Sequence, residues 1–189
     1  KLMKLLLGSQ SPRRQELLNL AGFRFKIVKI NYEEEYENSK LRPEVIPSFL
    51  ATEKSLAFSC SLSDSILLTA DTLVILDDEI MGKPVDLDDA YSKLKKLSGK
   101  THEVVTGVCL RTAKDKIVFS DTTQVSFRHL SHEEIIHYIT HYPVMDKAGA
   151  YGAQDWIGLT AITCITGSYY NVIGLPVHMV YQHLKNFNL

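Results

Sequence analysis

At 189 residues the chain is long enough to bury a sizeable core, and it sits at the upper edge of one domain or two closely packed lobes. Its 21 basic and 22 acidic side chains nearly cancel, which argues against a general nucleic-acid binder. Three scattered cysteines, Cys60, Cys109 and Cys164, form neither a disulfide framework nor a zinc knuckle, and no apolar run is long enough to span a membrane. A soluble, cytoplasmic protein is expected.

Leu5-Leu6-Leu7 predicts a buried strand that breaks at Gly8-Ser9-Gln10 and turns straight into a helix, with Ser11 suited to the N-cap and Pro12 to the first helical position. Leu17, Leu18 and Ala21 share one face of that helix, and Gly22 ends it. Phe23 to Ile30 alternates apolar and polar as a half-buried strand does, and an acidic stretch follows at Glu33, Glu34, Glu35 and Glu37. A second helix is expected over 47–60, opened by Pro47 and carrying Glu53 and Lys54 on its polar side. Ile66 to Ala70 reads as a short buried strand that delivers Asp71-Thr72 at its end, and Asp77-Asp78 turns the chain before Gly82-Lys83-Pro84.

Asp86, with Asp89 at the third helical position, opens a helix that Gly99 closes. Residues 102–111 and 116–127 alternate around a polar turn and predict a long hairpin. Ser131 and Glu134 make a capping box for a helix that stops before Pro143. A strand near 161–165 and helical turns after Tyr169 and Pro176 complete the chain, with no internal repeat and no flexible linker. Helices and strands interleave throughout, so an α/β fold with a mixed central sheet flanked by helices is expected.

The first loop carries the strongest chemical signal. A strand, a small-residue loop and a helix N-terminus aim backbone N–H groups at one point and form an anion site. Arg13 and Arg14 then place two cations where the helix dipole is already positive, which makes sense if a phosphate binds there. A carboxylate at Asp71 suits a metal ligand, a general base or a turn cap. Lys54 and Lys83, each unremarkable alone, add the cations a polyphosphate needs, and the Gln154 amide can read the edge of a base. His132 and His137 are five apart and fall on different helical faces, which rules out a zincin motif, and Gly82-Lys83 lacks the rest of a P-loop. Trp156 and Tyr169-Tyr170 are expected to pack rather than stack on a ligand.

Taken in order, Ser9-Gln10-Ser11-Pro12-Arg13-Arg14, Glu53-Lys54, Ala70-Asp71-Thr72, Gly82-Lys83-Pro84, Lys100-Thr101-His102-Glu103, Asp146 to Gln154 and Tyr169 to Pro176 resemble the Maf family of nucleoside triphosphate pyrophosphatases over nearly the whole length. The resemblance implies a Maf/ITPase-like single domain over 1–189, two lobes around a nucleotide-binding cleft, and hydrolysis of a triphosphate to the monophosphate and pyrophosphate. It implies a divalent cation, Mg2+ or Mn2+, at Asp71, which matches the family's proton acceptor. Ser9, Arg13, Arg14, Lys54 and Lys83 match its phosphate-binding and catalytic set, and Glu34 or its neighbour Glu33 an acidic residue near the site. Arg13, Thr72 and Gln154 match positions tied to base selectivity in the branch acting on dTTP and UTP. Gly8 stands where the family often has alanine.

The expected partner is therefore a nucleoside triphosphate, possessing no nucleic-acid or membrane counterpart. The absence of a heptad or interface stripe leaves a homodimer open. The family's association with cell-division arrest offers a second reading, a nucleotide-responsive regulator. The water-activating carboxylate favours the enzyme, since a pure sensor has no need of one.

Overall fold

The computed structural model describes residues 3–33, 36, 40–185 and 187. Chain order runs β1 (Lys4–Leu7), α1 (Pro12–Leu20), β2 (Phe25–Ile27), a 3-10 turn (Pro43–Val45), α2 (Ile46–Leu56), β3 (Ser65–Leu76), β4 (Glu79–Met81) and α3 (Leu87–Leu97). It continues with β5 (Thr101–Arg111), β6 (Lys116–Phe127), α4 (His132–His141), a 3-10 turn (Ala148–Ala150), α5 (Trp156–Ala161), β7 (Ile162–Thr166), α6 (Tyr169–Ile173) and α7 (Val177–Leu184). The strands form one mixed sheet in the order β2-β1-β3-β5-β6-β7, with β4 paired to β3. β1 is parallel to both β2 and β3, whereas β3–β4 and β6–β7 are antiparallel.

Two of the three expected side-chain caps form. Asp86 accepts from the Asp89 backbone N–H, and Ser131 and Glu134 form the full reciprocal box. Gly22 and Gly99 both take positive φ just past their helices, at 81° and 71°. Asp77 and Asp78, at φ 50° and 65°, make the primed turn that joins β3 to β4.

Several boundaries differ from expectation. α2 stops at Leu56, and the first parallel edge strand shrinks to Phe25–Ile27, with Ile27 42% exposed. β3 does not end at Ala70. It runs on to Leu76 through Asp71 and Thr72, buried along most of both faces, so Asp71 lies inside the strand. Ser11 sits at the N-cap without a side-chain cap bond. Its own backbone N–H donates instead to Ser9 Oγ at 3.3 Å. Tyr169 and Tyr170 are 41% and 54% exposed rather than packed, while Trp156 does pack against the core.

The chain divides into two compact units. The first comprises Lys1–Asp71, Thr106–Asp121 and Gly174–Leu189, and the second Thr72–Val105 and Thr122–Ile173. Leu7, Leu18, Leu50, Leu68, Val108 and Leu175 are fully buried in the first. In the second, Val74, Leu94, Leu97, Tyr138, Ala150 and Ile157 belong to one continuous apolar cluster. Cys60, Cys109 and Cys164 are all free thiols.

Candidate active site

In the first unit the site is built where α2 lies along β3. A strand sends residues i and i+2 to one face, and a helix brings i and i+3 to one face. Thr69 and Asp71 are such a strand pair; Ala51 and Lys54 are such a helix pair. Thr69 Oγ1 donates to the Ala51 carbonyl at 2.6 Å, and Lys54 Nζ donates to Asp71 Oδ1 at 2.5 Å. The two buried polar residues of the strand thereby each bond to one helix. The side chains of Lys54 and Asp71 are only 16% and 8% exposed, so Lys54 is not on a solvated face.

Three features hold α2 in this register. Near its N-terminus, Gly107 of β5 lies so close that an added Cβ would sit 2.2 Å from the Ser48 backbone nitrogen and 2.3 Å from the Pro47 carbonyl carbon. Midway, the Thr69 bond fixes Ala51. At the C-terminus, Arg111 donates through Nε to Ser55 Oγ at 2.9 Å and through Nη2 to the Ser55 and Phe58 carbonyls at 2.5 and 3.0 Å. The Ser55 carbonyl belongs to the last turn and the Phe58 carbonyl lies just past it, where helical partners run out and a cation is favoured by the dipole.

The Ser9 loop joins the same constellation through Arg14. Its guanidinium donates to the Gly174 carbonyl at 2.8 Å, to Ser9 Oγ at 3.3 Å and to the Ala70 carbonyl at 2.9 Å. Arg14 is thus bound into the framework and anchors the loop next to Asp71. The cationic first turn of α1 is in part a brace, not purely a free phosphate claw. Arg13 is half-buried at the same helix start. The space an alanine would take at position 8 is filled by Ile30 Cδ1 and Thr69 Cγ2, at 2.5 and 2.8 Å from an ideal Cβ. Ser9 thus touches Arg14 and Lys54 touches Asp71, and the Arg14 bond to the Ala70 carbonyl sets the first pair one residue along the chain from the second. Glu34 lies outside the described residues, and Glu33 is exposed.

Thr72, Lys83 and Gln154 belong to the second unit. Thr72 is half-buried on β3, and Lys83 and Gln154 are exposed on loops. The Gly149 N–H donates to the Gly82 carbonyl at 3.2 Å, tying the Lys83 loop to the segment that leads to Gln154. Gly149 and Ala150 both take positive φ, at 67° and 60°, and Ala150 is fully buried, so this segment is locked into a conformation a β-carbon disfavours. Tyr151 is pinned by its hydroxyl to His102 Nε2 at 2.7 Å. Burial pushes the His102 pKa down to about 4, so the ring is neutral at neutral pH.

The sequence assigned no role to Thr69, Gly107, Arg111 or His102. Their partners lie far along the chain, and no local spacing marks them. His137 and His141 stack at 4.5 Å, and His141 Nδ1 lies 2.8 Å from the His137 carbonyl oxygen. Among the described residues no group of three or more His, Cys, Asp or Glu side chains is gathered to hold a metal ion. No helix among them is long and apolar enough to cross a membrane.

The chain is 48% identical over 183 residues to a protein of Phocaeicola vulgatus named dTTP/UTP pyrophosphatase, covering 96% of this chain and 95% of that one. It is 47% identical over 190 residues to a Porphyromonas gingivalis protein of the same name, covering 99% and 96%. Among solved structures, a HAM1 protein from Coxiella burnetii matches with a TM-score of 0.50 at 10% identity, over 98% of this chain and 100% of that one, which is a likeness of fold. The family model described as Maf-like protein matches residues 4–187. That span carries the Ser9 loop, the Lys54–Asp71 pair, Lys83 and Gln154 together, and the chain belongs to the Maf family.

Proposed function

We propose that the chain hydrolyses dTTP and UTP to the nucleoside monophosphate and pyrophosphate. The observation that carries this reading is the buried Lys54–Asp71 contact beside the Arg14-anchored loop. It sets a proton acceptor, a triply donating ammonium and a helix start within one framework. The names of relatives at 41–48% identity over at least 96% of the chain support the same reaction and the same two substrates.

In this reading Asp71 takes a proton from a water molecule as that water attacks the α-phosphorus in line with the α–β bridging oxygen. The new O–P bond forms, the bond from phosphorus to the bridging oxygen breaks, and the electron pair leaves with pyrophosphate. Lys54 keeps one N–H on Asp71, which aims the carboxylate, and turns its others to a phosphate oxygen. Ser9, Arg13 and the N–H groups opening α1 bind the phosphate chain, and Lys83 neutralises charge on the leaving group. Arg14 holds the loop in shape. Arg13, Thr72 and Gln154 read the base.

Asp71 is the residue that would hold a cation here. The described residues supply the Asp71 carboxylate and no closed cage, which suits a hard ion such as Mg2+ held by one carboxylate together with triphosphate oxygens. When bound, such an ion offsets charge on the phosphates and polarises them. The place of action would be the cell interior, where nucleotides are met. Pyrophosphate release from dTTP, UTP, CTP and GTP, each with Mg2+, with Mn2+ and with chelator, tests the proposal. Metal-dependent release favouring dTTP and UTP is expected. Tight nucleotide binding with no release from any of them would overturn it in favour of a nucleotide-responsive regulator.

A further inference from the structure

Resting on the reading of Gln154 as a base reader, a further question is how an exposed glutamine discriminates at all. A carboxamide carries one acceptor and one donor group that exchange places on a half-turn. Uracil and thymine present an acceptor at O4 where cytosine presents an amino donor at N4. The same amide meets either base in opposite orientations, so discrimination depends on where the carboxamide is set against the base and against the neighbours that orient it, and the backbone beneath Gln154 decides that placement.

The second unit contains a network suited to that task. Tyr138, fully buried on α4, accepts from the Gly152 N–H at 3.1 Å and donates its hydroxyl to Asp155 Oδ2 at 2.8 Å. One phenol thus grips the turn on both sides of Gln154. Burial pushes the Tyr138 pKa upward, which keeps the hydroxyl proton in place. Lys147 is 5% exposed, an unusual place for an ammonium. Its Nζ lies 3.6 Å from Asp155 Oδ2 and 3.2 Å from Asp146 Oδ1, and it also donates to the Pro143 carbonyl. The turn closes on itself through the Asp155 N–H and the Gly152 carbonyl at 3.1 Å.

Space is as constrained as bonding. A Cβ at position 152 would sit 2.7 Å from Asp155 Oδ2 and 2.9 Å from Lys147 Cε, and one at Gly158 would sit 1.8 Å from the Ala153 carbonyl oxygen. A buried lysine, a buried phenol and two obligatory glycines around one exposed turn exceed what closing a surface loop requires. We propose that Tyr138, Asp155 and Lys147 are positioning residues that fix the Gln154 turn and so allow the enzyme to tell uracil and thymine from cytosine.

The test is the ratio of kcat/KM for UTP to that for CTP, read by pyrophosphate release. Loss of general stability affects both substrates alike and cancels in this ratio. Tyr138→Phe removes the hydroxyl and keeps the ring, and should lower the ratio about tenfold, the value of one well-placed hydrogen bond. In a Gln154→Ala background the same change should move the ratio no further. Asp155→Asn is read in the same way if Tyr138→Phe does not fold. A wild-type ratio in Tyr138→Phe or Asp155→Asn, with Gln154→Ala having lost it, would overturn the network's role alone. A wild-type ratio in Gln154→Ala would overturn the reading of Gln154 and the network's role with it.

Discussion

Gly107→Ala separates the stability of the α2 clamp from its catalytic consequence. The new methyl would meet backbone, not a flexible side-chain end, so the nearest atom must retreat from 2.2 Å to at least 3.4 Å, about 1.2 Å. How that displacement reaches Lys54 depends on the far end of the helix. If α2 moves as a block, Lys54 shifts by the full amount, and a misplacement of about 1 Å costs on the order of 100-fold in turnover. The three Arg111 bonds at Ser55 and Phe58 instead make the C-terminus a pivot. Ser48 lies seven residues from Ser55, about 10 Å along the axis, and Lys54 only one, so a tilt moves the Lys54 backbone by about 0.2 Å. The Thr69–Ala51 bond, midway, moves by roughly 0.7 Å and is lost. Overpacking at about 1–3 kcal/mol plus that bond at about 1 kcal/mol gives a loss of roughly 2–4 kcal/mol, or a Tm lower by roughly 5–15 °C. Turnover of UTP at 20 °C should stay within about threefold of wild type. Adding Arg111→Ala should then lower kcat far beyond the product of the two single effects. A 100-fold fall in kcat for Gly107→Ala alone, with an unchanged Tm, would refute the pivot.

Asp71→Asn should nearly abolish pyrophosphate release while UTP still binds by calorimetry; near-normal turnover would remove Asp71 from the chemistry. Arg111→Lys should lose most of what Arg111→Ala loses in urea unfolding, since an ammonium lacks the planar fork whose Nε and Nη2 span the oxygens of Ser55 and Phe58. His102 binds its proton less readily folded than unfolded, because burial takes its pKa from 6.5 to about 4. It therefore costs nothing above pH 6.5, and the penalty grows as pH falls, reaching about 3 kcal/mol at pH 4. His102→Gln should flatten the loss of stability between pH 7 and pH 4 by that order, measured by urea midpoints; an equal decline in both proteins would refute it.

Local chemistry was legible wherever partners sit within one turn of helix or one hairpin. Asp86 with Asp89, Ser131 with Glu134, and the positive-φ glycines after α1 and α3 are all of this kind. β3 was misjudged because hydrophobic alternation treats a polar residue as an exit to water. Asp71 is instead buried at 6% exposure, and the helix that satisfies it begins 25 residues upstream. The site followed a similar division. The Ser9–Arg14 loop declared itself by its strand-loop-helix grammar, while Lys54 and Lys83, unremarkable alone, gained meaning as members of a cationic set and their individual roles through resemblance to a family. Arg111 and Tyr138 stayed invisible because their partners are 56 and 17 residues distant, where spacing carries no information.

The bond between Arg14 and the Gly174 carbonyl joins residues 160 apart, and Gly174 opens the last segment of the first unit. At synthesis rates of about 5–20 residues per second, Arg14 waits roughly 10–30 s for its acceptor to be made. During that interval the loop beside Asp71 lacks one of its anchors on any nascent chain. Nucleotide hydrolysis should therefore switch on late, with the emergence of the final stretch, so that interrupted translation products remain inert toward the cell's triphosphate pool.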